Sequence, residues 1–178
     1  MRIVIDTREQ NPLTFSHDET ISACLPTGDY SLEGYEHRIA VERKSPQDLF
    51  ATLGGGHGRF RRELARARGY DYFAILIEAP FAHVRDKRFP DSYRTAMRGD
   101  VIIQTCMTLK LKHGVDVIFA QDRREAASIL HHIFKAYYKT KYAAMFSLPV
   151  SKISIPFCQD CATPSEECVC KGVLQPEG

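Results

Sequence analysis

Gly28-Asp29-Tyr30 is followed, twelve residues on, by Glu42-Arg43-Lys44 and then by Asp48, which gathers carboxylates and a lysine into one short stretch of chain. Such a set suits metal-assisted hydrolysis of a phosphodiester. The ester is anionic, so attack by water requires that its charge be neutralised and the water deprotonated near neutral pH; a bound divalent cation does the first and helps with the second. Magnesium prefers oxygen ligands in octahedral geometry and keeps several waters, so one or two carboxylates plus substrate oxygens suffice. Asp29 and Glu42 are the candidate ligands, with Mg2+ or Mn2+ as the cation. Lys44 can position or deprotonate the attacking water, if metal and burial depress its pKa, or can stabilise the developing negative charge. The residues alone leave both roles open to it.

The elements around these residues must hold them together. Side chains alternate faces along a strand, so Glu42 and Lys44 point one way while Ile39, Val41 and Arg43 point the other. The runs 29–32 and 38–44 flank Glu33-Gly34-Tyr35-Glu36, whose glycine supplies a turn, and this predicts a hairpin that brings Asp29 across to Glu42. Arg2-Ile3-Val4-Ile5-Asp6 reads as a buried strand delivering Asp6 to its edge, with Glu9 just beyond. Ser45-Pro46 opens a helix to about residue 53: Ser is a good N-cap, Pro fits the first helical position, and Asp48 suits the positive N-terminal end. An isolated Glu-Arg-Lys would read as a solvated charge run on an edge strand. Here four segments direct acids toward one edge, which makes coincidence the weaker explanation.

Further along, Gly54 to Gly58 breaks the chain, and 59–68 resumes a helical pattern with Phe60, Leu64 and Ala67 on one face and Arg59, Arg62 and Arg66 on another. Strands are expected over 72–77 and 115–120, and helices over 95–112, closed by Gly114, and 123–141, capped by Asp122. Alternating strands and helices imply an α/β sandwich around a mixed sheet. The periodic pattern fails from residue 147, so the expected division is a main domain at 1–146 and a linker with a Cys-rich tail at 147–178.

A chain of 178 residues can bury one good core. A net charge of +2, from 24 basic and 22 acidic residues, does not announce a nucleic-acid partner by itself. No secretory leader pattern and no run of 18 apolar residues occurs, so no membrane partner is expected, and the expected location is intracellular: cytoplasmic and nucleoid-associated, or nuclear.

Val4-Ile5-Asp6-Thr7-Arg8-Glu9, Gly28-Asp29-Tyr30 and Glu42-Arg43-Lys44-Ser45 with Asp48 resemble the nuclease domain of the XPF family of structure-specific endonucleases, and Gly58-Arg59-Phe60 is similar to that family's glycine-arginine segment. The likeness spans roughly residues 2–141. It implies a restriction-endonuclease-like three-layer sandwich, with a central mixed β-sheet flanked by helices and a short Cys-rich tail. It also implies metal-dependent DNA hydrolysis, with Asp29 and Glu42 as metal ligands, Lys44 as the catalytic lysine, and support from Asp6, Arg8, Glu9 and Asp48. Arg8 can serve a phosphate or can pair with Glu9 or Asp48. Arg43, on the opposite face from the metal, is expected in a structural ion pair. Many relatives carry a tandem helix-hairpin-helix domain, for which the residues after the last helix leave no room. Junction specificity would then come from the nuclease surface, a second subunit or another protein.

Arg59, Arg61, Arg62, Arg66 and Arg68 follow the glycine loop directly; beside the acidic constellation they read as a DNA-backbone face, and on their own as an exposed helix balanced by Glu63. Cys158-x2-Cys161-x6-Cys168-x-Cys170 can close one structural Zn2+ site, the alternative being a reduced, unstructured tail. The expected protein is a Mg2+- or Mn2+-dependent DNA endonuclease, acting on duplex, branched or flap DNA in repair, recombination or replication, alone, as a homodimer or with a heteromeric partner. The alternatives are a catalytically silent DNA-binding or partner-binding scaffold and a nuclease for RNA or single strands.

Overall fold

The structure, a computed structural model, describes residues 1–55 and 57–145, without the side chains of residues 57, 59 and 142–145. The tail cysteines Cys158, Cys161, Cys168 and Cys170, with the zinc site expected of them, lie outside the described residues, as does the side chain of Arg59. The chain divides into two units, Met1–Tyr137 and Tyr138–Gly178. The described part of the second unit is helical.

Six strands form one sheet: β1 (Arg2–Asp6), β2 (Glu19–Ala23), β3 (Tyr30–Leu32), β4 (Ile39–Lys44), β5 (Tyr72–Ile77) and β6 (Asp116–Phe119), in the order β2-β1-β3-β4-β5-β6. The β3–β4 hairpin is antiparallel, as its turn predicts, and β3 also runs antiparallel to β1, while β1–β2, β4–β5 and β5–β6 are parallel. The sheet is therefore mixed, as expected.

Alternation along the strands divides the core between its two faces. Ala40, Phe73, Ile75 and Ile77 meet α1 (Pro46–Gly54), α2 (His57–Ala67), α3 (Phe81–Arg85) and α4 (Gly99–His113) through Leu49, Phe50, Phe60, Leu64, Val84, Ile102 and Cys106. On the other face, Ile3, Tyr30, Ile39, Val41, Ala74 and Leu76 pack with Ala126, Leu130 and Phe134 of α5 (Arg123–Met145). Among the described residues, no helix is long and apolar enough to cross a membrane.

Local chemistry sets the helix ends. The Ser45 side chain accepts from the Asp48 backbone N–H at 3.1 Å, with Pro46 following, so α1 begins where its cap predicts. Asp122 caps α5 by accepting from the Glu125 N–H at 2.8 Å, and Gly114 ends α4 in the left-handed region. The α4 start differs from the expected Thr95. Thr95 Oγ1 accepts from the Met97 N–H at 3.3 Å and its carbonyl accepts from Lys87 Nζ at 2.6 Å, bonds that compete with helix formation, and the segment stays irregular until Gly99.

Gly28 permits the turn that delivers Asp29. Its φ is +75°, and a Cβ there would lie 3.0 Å from Ala40 Cβ and 3.1 Å from the Val41 carbonyl oxygen. Gly28→Ala is expected to lower stability by about 1–3 kcal/mol, from left-handed strain plus crowding against β4, read as a lower midpoint in denaturant unfolding.

Candidate active site

The central strands end at a common edge, and a cleft of about 490 Å³ opens there, lined by Arg8, Glu9, Asp29, Glu42, Lys44, Asp48 and Glu63 among others. A larger cavity of about 760 Å³ lies between α1 and the 89–97 segment; it is mostly apolar, with Asp91 and Arg94 as its charged lining residues. The chemistry gathers in the smaller one.

Strand alternation places Glu42 and Lys44 together, and Lys44 Nζ lies 2.6 Å from Glu42 Oε1. Asp29 reaches them from the start of β3: its backbone N–H donates to the Val41 carbonyl at 2.9 Å and its Oδ2 accepts from the Arg43 N–H at 2.8 Å. Burial, then the neighbouring Glu42 carboxylate, pushes the Asp29 pKa up to about 7. Burial pulls on Lys44 in the opposite direction, but the Glu42 carboxylate outweighs it and holds the amine above its ordinary value. Lys44 is therefore a protonated donor here. In this metal-free arrangement the amine is placed to donate, as positioning a water or stabilising developing negative charge would require.

Arg43 points to the other face, as alternation predicts, and takes the structural role expected of it. Its Nη2 lies 2.9 Å from Glu9 Oε1 and its Nη1 lies 2.9 Å from Glu78 Oε2, with all three side chains largely buried. Burial disfavours both the Arg43 and Glu9 charges, yet their mutual bonding outweighs it, raising the arginine pKa and lowering the glutamate's.

Asp6 and Arg8 depart from expectation. Asp6 is absent from the cleft lining: its carboxylate accepts from the Leu25 N–H at 2.7 Å, the Arg8 N–H at 2.8 Å, and Arg8 Nε and Nη2 at 2.6 and 2.9 Å. Burial raises its pKa, but these donors prevail and hold it below the ordinary value. Asp6 is thus an anchor, its acceptor sites already occupied. Arg8 pairs with Asp6 and not with the expected Glu9 or Asp48, because its fork fits that carboxylate two residues back. About two thirds of the Arg8 side chain stays exposed at the cleft rim. Asp48, also at the rim, accepts from Ser45 Oγ at 2.7 Å.

Glu63 was missed. Expected to balance surface arginines, it is instead buried, on the α2 face that carries Phe60, Leu64 and Ala67. The signal was its period: Glu63 stands three residues after Phe60 and four before Ala67, within the apolar stripe. Burial, then the Glu42 carboxylate, pushes its pKa up to about 8. Arg61, Arg62 and Arg66 are exposed on the same helix, outside that stripe.

Among the described residues, no three His, Cys, Asp or Glu side chains are grouped so as to hold a metal ion. The donor chemistry nevertheless fits a hard divalent cation: Asp29, Glu42 and Glu63 offer only oxygen, and burial, then their crowding, raises the pKa of Asp29 and of Glu63.

Fold and cleft define the class first: an α/β domain with a mixed six-stranded sheet between helical layers, the fold of the XPF nuclease domain. XPF from Aeropyrum pernix matches with a TM-score of 0.61 at 23% identity, over 77% of this chain and 61% of that one. A second structure, XPF from Aeropyrum pernix in complex with DNA, matches with a TM-score of 0.58 at 23% identity, over 78% of this chain and 66% of that one. The chain thus spans less than two thirds of each. No curated protein matches. Residues 5–133, well over half of the chain, match the ERCC4 domain, and the chain belongs to that family. The resemblance drawn from the sequence motifs is borne out.

Two expectations follow. Arg43→Met leaves Glu9 and Glu78 buried without their shared cation and is expected to cost about 3–5 kcal/mol, measured by denaturant unfolding. Asp29 and Glu63 have folded-state pKa values raised above their unfolded ones, to about 7 and about 8. Their contribution to the metal-free fold is thus complete below about pH 4 and is lost as the pH rises through those values. The melting temperature of EDTA-treated protein should fall between about pH 4 and pH 8 and level off above that, and Asp29→Asn should flatten that slope.

Proposed function

We propose that this chain is a divalent-metal-dependent DNA endonuclease. The observation that carries the reading is the meeting of Asp29, Glu42 and Lys44 in one cleft of a domain that matches the ERCC4 family over residues 5–133. Asp29 and Glu42 would hold Mg2+ or Mn2+. When bound, that cation neutralises phosphate charge and lowers the pKa of a water.

The protein supplies the positioning. The Arg43 N–H fixes Asp29 Oδ2 while the Arg43 guanidinium braces the strand from the far face, so the carboxylate is aimed by backbone geometry. Lys44 brings a protonated amine to the reacting phosphate, where it can donate to an oxygen that gains charge as the P–O bond breaks. Arg8 at the rim and Arg61, Arg62 and Arg66 on α2 offer guanidinium groups to backbone phosphates beyond the cut. The DNA complex of a similar fold supports DNA as the polymer. Branched and flap forms are the proposed preferred substrates, and repair, recombination or replication the proposed setting.

Labelled duplex, flap and fork DNA with Mg2+ test this reading, with RNA of matching shape as a control. Wild type should cut DNA, whereas Asp29→Asn and Lys44→Ala should bind it with similar affinity and cut at least about 100-fold more slowly. Equal cutting by all three proteins sinks the assignment. Binding by wild type without cutting, in either Mg2+ or Mn2+, identifies the silent scaffold instead.

A further inference from the structure

Glu63 has no part in the reaction described so far, yet it occupies the cleft that Asp29, Glu42 and Lys44 line. The residue keeps only 9% of its surface exposed, on a helical face that is otherwise apolar. A carboxylate is a poor choice for such a position, because burying it without a partner costs several kcal/mol, on the order of a lost buried ion pair. Among the described side chains, none from Lys, Arg or His forms an ion pair with Glu63: its hydrogen-bonding neighbour is another acid, Glu42, and the cation that acts on it, Lys44, is bound to Glu42. A methionine or leucine would serve the packing with Phe60 and Leu64 at lower cost.

Charge balance indicates what would compensate Glu63. Asp29, Glu42 and Glu63 line the cleft around one ammonium, that of Lys44, so when ionised this group of four side chains carries two net negative charges. One divalent cation matches that deficit. The three carboxylates also come from separate elements: Asp29 from the β3 start, Glu42 from β4 and Glu63 from α2. A cation held from all three would be enclosed between the sheet and the helix, not held on the sheet edge alone. Resting on the reading of Asp29 and Glu42 as metal ligands, we infer that Glu63 is a third carboxylate for the bound divalent cation, contacting it directly or through one of its waters.

Mn2+ binding to the full chain, followed by the loss of the free-ion signal in electron paramagnetic resonance, tests this without relying on cleavage. Glu63→Gln keeps the side-chain volume and is expected to weaken Mn2+ binding by about tenfold or more. Metal-free Glu63→Gln should melt no lower than wild type, whereas a purely structural Glu63 would give a lower melting point and unchanged Mn2+ affinity. Glu63→Asp retains the charge but draws it back toward the helix. It should bind Mn2+ more weakly than wild type, and it serves as the test should the glutamine variant not fold. Wild-type Mn2+ affinity in whichever of these variants folds overturns the role of Glu63 and leaves the nuclease reading intact, provided wild type binds Mn2+ and cuts DNA. No Mn2+ binding by wild type overturns both.

Discussion

The cleft depends on a buried guanidinium. Arg43 lies between Glu9, beyond the end of β1, and Glu78, beyond the end of β5, and so ties two inner strands of the sheet to β4 between them. Its own N–H meanwhile holds Asp29. One residue thus fixes the relative positions of four chain segments at the edge where the acids meet. A pair of this kind adds little net stability over a well-packed apolar alternative, since desolvation consumes most of the Coulombic gain. Its value lies in geometry, because the bidentate fork accepts only a narrow range of strand positions.

With the far face braced by two carboxylates and two guanidinium groups, since Arg123 Nη1 also lies 3.4 Å from Glu78 Oε1, the near face can tolerate an unbalanced set. Glu42 has Lys44, but Asp29 and Glu63 add carboxylates to an already desolvated space, and both respond by holding their protons more tightly. A domain selected for stability alone would not crowd acids in this way. The sheet bears the crowding because its central strands are packed on both faces: Ala40, Ile75 and Ile77 against one helical layer, and Val41, Ala74 and Leu76 against the other. The strained electrostatics is therefore confined to the strand ends, where the backbone is held by the parallel β4–β5 ladder. Tolerance of local conflict at one edge of an otherwise consistent fold is the usual mark of a functional site.

Much of this was legible in the sequence, for identifiable reasons. The period of two along Ile39 to Lys44 separated Arg43 from Glu42 and Lys44 correctly, since alternation along a regular strand needs no knowledge of tertiary partners. The Ser45-Pro46 cap was equally plain, because capping is local and depends on few residues. What failed was the reading of side chains whose partner is set by tertiary contact. Asp6 looked like a site acid because it ends β1; nothing local showed that the Leu25 N–H and the Arg8 fork would claim it. Strand β2 went unread because Glu19 to Ala23 is polar and lies at the sheet edge, where one-sided pairing needs no apolar alternation. Glu63 was misassigned for a different reason: surrounded by arginines in sequence, it was given a neighbour by charge when its helical phase gave it one by geometry.

That phase shows how α2 serves the site. Its apolar residues Phe60, Leu64 and Ala67 anchor it on the sheet, and the same face carries Glu63 into the cleft, while Arg61, Arg62 and Arg66 face solvent. Opposite charges are thus carried by opposite sides of one helix, and the packing that fixes the carboxylate also fixes where the guanidinium groups stand. In the proposed reaction a DNA backbone drawn to the arginines would have its approach to the acids set by a rigid element, with no loop rearrangement between them. A helix of uniformly positive surface could attract the polymer just as well. It would not also set a carboxylate beside Glu42 in the wall of the cleft, as Glu63 does.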